Sequence, residues 1–326
     1  MAADAPRLNI WAVSDGRAGI EAQVDGLAQA VARLRPAEIV IKRIGWRWGL
    51  GRLPSRLNPG LLATLTPGSG LHPPWPDIWI AAGRATLPLS TRLRRLSGGR
   101  TFVVQTQHPR QPIKAFDLVV PPIHDRLTGA NVLPIVGSPN RLSPAQLAAE
   151  LERFRDKLES LPRPRVAVIV GGASKAFGLP AERAARMGRE VAEAVTASGG
   201  SVLVSFTRRT PQAAREILRA EWARLPGVVW DDRGDNPYFA FLAAADAILV
   251  TEDSTNLATE AAATGKPVHV LALEGRSEKF DRFHHDLRER GSARPFAGRL
   301  ESWDYTPLAE TDRAAAELLR RYDARN

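Results

Sequence analysis

The stretch that decides the fold is Asp246–Leu273, D-A-I-L-V-T-E-D-S-T-N-L-A-T-E-A-A-A-T-G-K-P-V-H-V-L-A-L. Ala247–Thr251 is short, apolar and β-branched, the pattern of a strand buried on both faces. Glu252-Asp253-Ser254-Thr255 is polar and supplies helix N-cap residues. Asn256–Thr264 is rich in alanine and closes on Gly265 with Pro267 just beyond, so the spacing predicts a short helix. Val268–Leu273 is a second buried strand. Strand, loop, helix and strand make the repeating unit of a parallel sheet with helices on its faces, which puts the chain in the α/β class. The loop lies at a strand's carboxyl end and a helix's amino end, where N–H groups and the helix dipole favour a phosphate or another anion. Glu260 stands about one and a half turns into that helix. A carboxylate there can accept two hydroxyl hydrogen bonds from a ribose. The plainer reading is a solvated glutamate on an amphipathic helix.

Outward from this unit, the same opening occurs twice. Leu8–Ser14 is an apolar strand, followed by a glycine-bearing loop and a helix over Glu21–Arg35, the start of a Rossmann-like half. The loop lacks G-x-G-x-x-G, so the dinucleotide fingerprint is absent. Gly16 and Gly19 make the turn or admit a ligand close to the backbone; Asp15 and Arg17 are then a candidate general base and a candidate anion clamp. Further strands fall at Glu38–Ile44, Asp77–Ala82, Thr101–Gln105, Phe116–Val120 and Val132–Ile135. A helix is expected to open at Ala82-Gly83-Arg84 and run to Leu96. His108 follows the Thr101–Gln105 strand, at the end where α/β proteins bind ligands, and is a candidate proton carrier. Gly45–Pro74 is irregular, basic and aromatic, and reads either as a packed insertion or as a membrane-facing or cleft-covering segment. Ser143-Pro144 starts a helix that Pro162-Arg163-Pro164 ends, and the domain boundary is placed there.

Arg165–Val170 then restarts the pattern with an apolar strand and Gly171-Gly172-Ala173-Ser174-Lys175. Two glycines beside Ser174 and Lys175 suit a diphosphate, with N–H donors and a point charge; a Walker motif is absent. Thr207-Arg208-Arg209-Thr210-Pro211 follows the strand Ser201–Phe206 and reads as phosphate contacts or as a capped helix start. His284-His285 has no paired carboxylates at ligand spacing, so no metal is expected, and no cofactor is implied.

The Glu260 stretch, Thr259–Pro267 after a strand and a Ser/Thr loop, resembles the nucleotide-sugar site of GT-B glycosyltransferases, most closely the lipid II-forming N-acetylglucosaminyltransferase. A match over nearly the whole chain is similar to one bacterial family. It is carried by S-D-G-R-A-G (Ser14–Gly19), G-G-A-S-K-A-F (Gly171–Phe177), T-R-R-T-P (Thr207–Pro211), D-N-P-Y (Asp235–Tyr238), T-E-D-S-T-N (Thr251–Asn256) and K-F-x-x-F-H (Lys279–His284). That family takes its name from the plant mitochondrial fission factor of the "elongated mitochondria" type and is also labelled a nucleoside-diphosphate-sugar epimerase. The resemblance implies a GT-B-like fold, two Rossmann-like domains with parallel sheets facing across a cleft. Residues 1–161 would be the acceptor-side domain and 162–305 the nucleotide-binding domain, with 306–326 a helix returning to the first; that helix is expected over Trp303–Arg321. It also implies that Glu260 binds a ribose, that Glu252, Asp253, Ser254, Thr255 and Asn256 line the diphosphate, and that Asn236 and Tyr238 hold the base.

Composition narrows the function classes. The chain has 326 residues, 44% of them hydrophobic, enough for two domains with real cores. It has no cysteine, which excludes disulfides, thiolate catalysis and Cys-ligated metal. The net charge is +10, mostly from arginine scattered along helices. That suits a phosphate-bearing substrate or an anionic membrane face; an arginine-rich GC-biased genome gives the same count. No nucleic-acid motif is present. The amino terminus, M-A-A-D-A-P-R-L-N-I, has no signal-peptide core, and no apolar run approaches the roughly 20 residues of a membrane span. A cytoplasmic protein, peripheral at most at the inner membrane face, is expected. Three functions compete: a metal-independent glycosyltransferase using a nucleoside-diphosphate sugar, a nucleoside-diphosphate-sugar epimerase, and a non-catalytic adaptor of the fission type.

Overall fold

The computed structural model describes residues 7–325. Met1–Pro6 and Asn326, and with them most of the amino-terminal stretch read for a signal peptide, lie outside the described residues. The chain divides into two compact units. One runs through Arg141 and takes up the chain again from Ala309; the other is Leu142–Leu308.

The first unit is built on five parallel strands: β1 (Leu8–Ser14), β2 (Ala37–Arg43), β3 (Ile78–Ala81), β4 (Phe102–Thr106) and β5 (Leu118–Val120), in the order β2-β1-β3-β4-β5. Its central strands are mostly apolar and almost wholly buried because both faces are covered. Ile10 and Ala12 of β1 pack with Val24, Leu27 and Val31 of helix α1 (Ala18–Leu34). The alternate residues Trp11 and Val13 pack on the other face with Leu89 and Leu93 of α2 (Leu87–Leu96). Helix α2 begins later than the sequence predicts. Gly83 takes a left-handed φ of +85° and the Thr86 hydroxyl donates to Gly83 O, so 82–86 is a turn, and Pro88 then sits in the first helical turn. Val132–Ile135 is not a full strand. It makes only single bridges, Val132 to Val119 and Ile135 to Pro122, because Pro134 between them has no N–H to donate.

The second unit starts with helices α3 (Pro144–Arg153) and α4 (Arg155–Leu158). Its parallel strands are β6 (Arg165–Val170), β8 (Ser201–Phe206), β9 (Gly227–Val229), β10 (Ala247–Thr251), β11 (Val268–Leu271) and β13 (Ala293–Pro295), in the order β13-β11-β10-β6-β8-β9. A small antiparallel pair, β7 (Phe177–Gly178) with β12 (Glu274–Gly275), stands beside the sheet. Helices α5 (Ala181–Ala197), α6 (Gln212–Trp222), α7 (Tyr238–Ala244), α8 (Thr255–Ala262) and α9 (Glu278–Glu289) alternate with the strands. Met187, Val191, Leu218 and Trp222 close the core over Val166, Val168, Val202 and Val204.

The last helix, α10, is Glu310–Arg325 and starts seven residues after Trp303. The intervening chain has no regular secondary structure and is held by hydrogen bonds to the second unit's loops and helices. The Trp303 indole donates to Gly291 O, and the Tyr305 hydroxyl, whose pKa burial raises, donates to Ala262 O and Lys266 O. Ala314, Ala315, Leu318 and Leu319 of α10 then enter the first unit's core beside α1.

In each unit the chain leaves the first strand to one side and later returns to the other. This creates a switch point between β1 and β3, and another between β6 and β10, the place where open α/β sheets bind ligands. The α/β class and the two Rossmann-like parallel sheets expected from the sequence are what the structure contains.

Candidate functional site

The second unit's switch point is built from its threonines upward. The Thr251 hydroxyl, at the end of β10, donates to Asp253 Oδ1 at 2.7 Å and accepts the Gly171 N–H at 2.7 Å. One buried hydroxyl thus joins the loops that follow β10 and β6. The Thr210 hydroxyl does the same for the third loop, donating to Val170 O at 2.8 Å and receiving the Thr207 N–H. Glycine is required here by contact. A Cβ on Gly171 would lie 2.2 Å from Asp253 Oδ1, and one on Gly172 would lie 2.7 Å from Arg209 O with φ at +143°.

The Asp253 side chain is fully buried, and Arg209 Nη1 stands 2.7 Å from its Oδ2 as an ion pair not aligned as a hydrogen bond. Arg209 is itself about two-fifths exposed, so one face of its guanidinium is held by the carboxylate while the rest meets solvent. Ser254 caps α8 by accepting the Leu257 N–H, and Thr255 and Asn256 form the first turn. Lys175 and Arg208 are exposed, with no side-chain partner among the described residues. Ser174 turns its hydroxyl back to accept from Ala176 N and Phe177 N.

Glu260 is buried, 6% exposed, not solvated. Its Oε2 accepts the Tyr238 hydroxyl at 2.6 Å, and Asn236 Oδ1 accepts the Tyr238 N–H at 3.0 Å. The D-N-P-Y and T-E-A-A-A motifs therefore meet through a side-chain hydrogen bond between α7 and α8. Lys266, which burial lowers to about 8, donates to Leu242 O and Ala243 O at the carboxyl end of α7. Glu252 faces elsewhere: its Oε1 accepts the Leu273 N–H, and burial raises its pKa. His284 Nε2 donates to Glu252 O at 2.9 Å while burial lowers that histidine's pKa.

In the first unit, Asp15 is engaged by the Arg17 guanidinium, with Nε 2.9 Å and Nη2 2.8 Å from Oδ2; the aspartate in turn raises the Arg17 pKa. Gly16, at φ +80°, makes the turn, and Gly83 after β3 approaches both side chains. The pair thus stands at the β1/β3 switch point. His108 follows β4, one strand further on, and its Nδ1 accepts the Arg110 N–H, which leaves any ring proton of the neutral form on Nε2. No hydrogen bond joins Asp15 to His108. Sequence reading assigned no site role to Thr251, which it met only as a strand end and the first residue of a motif, or to Arg215. Arg215 donates to Thr207 O and pairs with Asp232, holding the T-R-R-T-P loop from α6. Thr251 ends a β-branched strand and Arg215 lies on an amphipathic helix, so neither position signals a loop-holding role. Among the described residues no group of three or more His, Asp or Glu is gathered as for a metal ion.

Two doubly wound parallel units of this kind define a protein of the GT-B fold. In keeping with that, the chain superposes on the UDP-GlcNAc 2-epimerase of Neisseria meningitidis, solved bound to UDP-GlcNAc, with a TM-score of 0.53 at 11% identity over 97% of this chain and 92% of that one. It superposes equally on the UDP-GlcNAc 2-epimerase of Methanocaldococcus jannaschii in complex with UDP-GlcNAc and UDP: TM-score 0.53, 12% identity, 98% of this chain and 100% of that one. The chain belongs to the family described as Mitochondrial fission ELM1, whose model matches residues 18–322. It is 33% identical to the mitochondrial fission protein ELM1 of Arabidopsis thaliana over 77% of this chain, and spans 65% of that relative's length. It is 27% identical to an uncharacterized protein of Rickettsia prowazekii over 74% of this chain and 78% of that protein. The resemblance read from the motifs is thereby upheld.

Proposed function

We propose that this chain is a GT-B-type enzyme acting on a nucleoside-diphosphate sugar, and that it transfers the sugar to an acceptor without a divalent metal. The observation that carries the reading is the constellation at the β6/β10 switch point: the Gly171-Gly172 backbone, Arg209 held by buried Asp253, and a Ser254-capped helix that also carries the buried Glu260. In this reading Glu260 accepts the two ribose hydroxyls, with Tyr238 and Asn236 beside the base. Gly171, Gly172, Ser174, Thr207, Arg208, Ser254, Thr255 and Asn256 receive the diphosphate, with Asp253 and Glu252 bracing the loop. Arg209 and Lys175 neutralise the charge that grows as the bond from the anomeric carbon to the diphosphate oxygen breaks. The acceptor oxygen forms the new bond, and Asp15 or His108 takes its proton; Gly16 and Arg17 belong to that acceptor side. A basic chain of this kind would work beside an anionic membrane; among the described residues no helix is long and apolar enough to cross one.

The two UDP-GlcNAc-bound proteins above make UDP and UDP-GlcNAc the first ligands to try. Calorimetric titration should give binding that survives chelation of divalent cations, and Glu260→Ala should weaken it by at least about tenfold, the loss of one charge-assisted hydrogen bond or more. Unchanged affinity in folded Glu260→Ala removes the ribose assignment. No binding of any nucleoside diphosphate removes the enzyme reading and leaves the fission-type adaptor. Epimerisation of a bound nucleotide sugar with no acceptor present would replace transfer by the epimerase alternative.

A further inference from the structure

Between Glu38 and Asp77 the sequence contains no aspartate or glutamate, while Lys42, Arg43, Arg47, Arg52 and Arg56 all fall there. Lys42 and Arg43 are used internally, by Gly70 O and by Glu21. The side chains of Arg47, Arg52 and Arg56 are exposed and have no partner among the described residues. Interleaved with them are Trp48, 76% exposed, Leu57, 63%, Leu61, 51%, and Leu53, 38%.

This exposure does not come from slack chain. The segment is a closed surface lobe. Trp46 bridges Leu65, and Arg47 N donates to Thr64 O at 2.9 Å. Inside it Asn58, itself buried, donates to Leu50 O at 3.1 Å. The lobe is tied to the rest of the unit by Gln111 Nε2 to Ser55 Oγ at 2.8 Å and by the Trp46 indole to Ala85 O at 2.9 Å. A fixed backbone that leaves four large apolar side chains in water has a use for them. Trp48 sharpens the point, since its φ of +52° is strained for a bulky residue.

We infer that the Arg47–Leu61 lobe docks the protein on an anionic lipid bilayer. Guanidinium groups with no internal carboxylate fit lipid phosphates, which they can grip in two-pronged fashion. Tryptophan and leucine between them fit the boundary of headgroups and acyl chains, and tryptophan prefers that depth. A protein partner would have to bring carboxylates for three arginines within ten residues; a lipid surface presents anions everywhere. The inference rests on the membrane-side position proposed above but not on the nucleotide-sugar chemistry, since no lobe residue belongs to that site.

The test is flotation of the whole protein with vesicles of phosphatidylcholine, alone or mixed with phosphatidylglycerol. The wild type should float with the mixed vesicles only and release in high salt. Arg47→Gln/Arg52→Gln/Arg56→Gln and Trp48→Ser/Leu57→Ser should each lower the partition by at least about tenfold, while melting and nucleotide binding stay as in the wild type. Arg186→Gln/Arg224→Gln/Arg290→Gln removes the same charge elsewhere and should lower it by less than about threefold. A wild type that never floats overturns the inference together with the membrane-side reading. Flotation that survives both lobe variants, or falls as far in the second-unit triple, overturns the lobe alone. Self-association in solution that Trp48→Ser/Leu57→Ser abolishes gives the face to a second copy and also overturns it.

Discussion

Glu260 and Gly171 show what single residues contribute. The sequence places a carboxylate behind an anion-ready loop, but burial and the Tyr238 hydroxyl, 22 positions earlier in the chain, come only from the tertiary fold, which brings the start of α7 within reach of α8. Glu260 is buried and Tyr238 half-buried, and losing this hydrogen bond to a carboxylate costs about 1.5–3 kcal/mol. Glu260→Gln keeps the shape and an acceptor, so it should stay within about 1 kcal/mol of the wild type in denaturant unfolding while losing nucleotide affinity. Gly171 makes a different demand. The Cβ of Gly171→Ala would strike the Asp253 carboxylate, which Thr251 and Arg209 hold in place, and overpacking of this kind costs about 1–3 kcal/mol. Gly171→Ala/Asp253→Ala removes the clash and should recover part of that loss; a double variant as unstable as the sum of the two single changes would contradict the contact. Lys175→Ala should weaken UDP by several-fold more than uridine, because a free ammonium meets charge and not sugar.

At the level of elements, the strands were legible because a sheet covered on both faces writes unbroken apolar runs, as in Ala247–Val250 and Val166–Val170. The helix starts at Pro144 and Thr255 were legible from Ser143 and Ser254. Less legible was Val132–Ile135, where apolar residues promise a strand and one proline withholds the ladder. The segment before α10 was less legible too, because Trp303 and Tyr305 hold it out of the helix through bonds to carbonyls remote in sequence. Two elements carry a pH response. His269 on β11 and His284 on α9 are both lowered, chiefly by burial. The unfolded chain therefore takes up these protons first as pH falls, and the folded state loses stability from about pH 6.5 downward. Above that pH both forms are neutral and the two residues add no slope. Melting temperature should fall between pH 7 and pH 5, and His269→Gln/His284→Gln should flatten the fall. An unchanged slope would assign acid sensitivity to other groups.

For the molecule as a whole, the two units have separate cores, and the first is completed by the last element of the chain. Leu318 is fully buried in that first core, so Leu318→Ala should cost about 2–5 kcal/mol. Hydrogen exchange should quicken in β1 through β5 and stay unchanged in β6, β8 and β10; equal quickening in both sheets would mean that the units unfold as one. The return of α10 also sets an order of events during synthesis. A ribosome delivers β1 through β5 first, yet Ala314, Ala315, Leu318 and Leu319 leave the tunnel only after the whole of Leu142–Leu308 has been made. Units generally fold as they emerge, so here the later-made unit is finished first. The earlier one must wait with the α10-facing side of α1 bare, and for that interval it is the natural client of a chaperone.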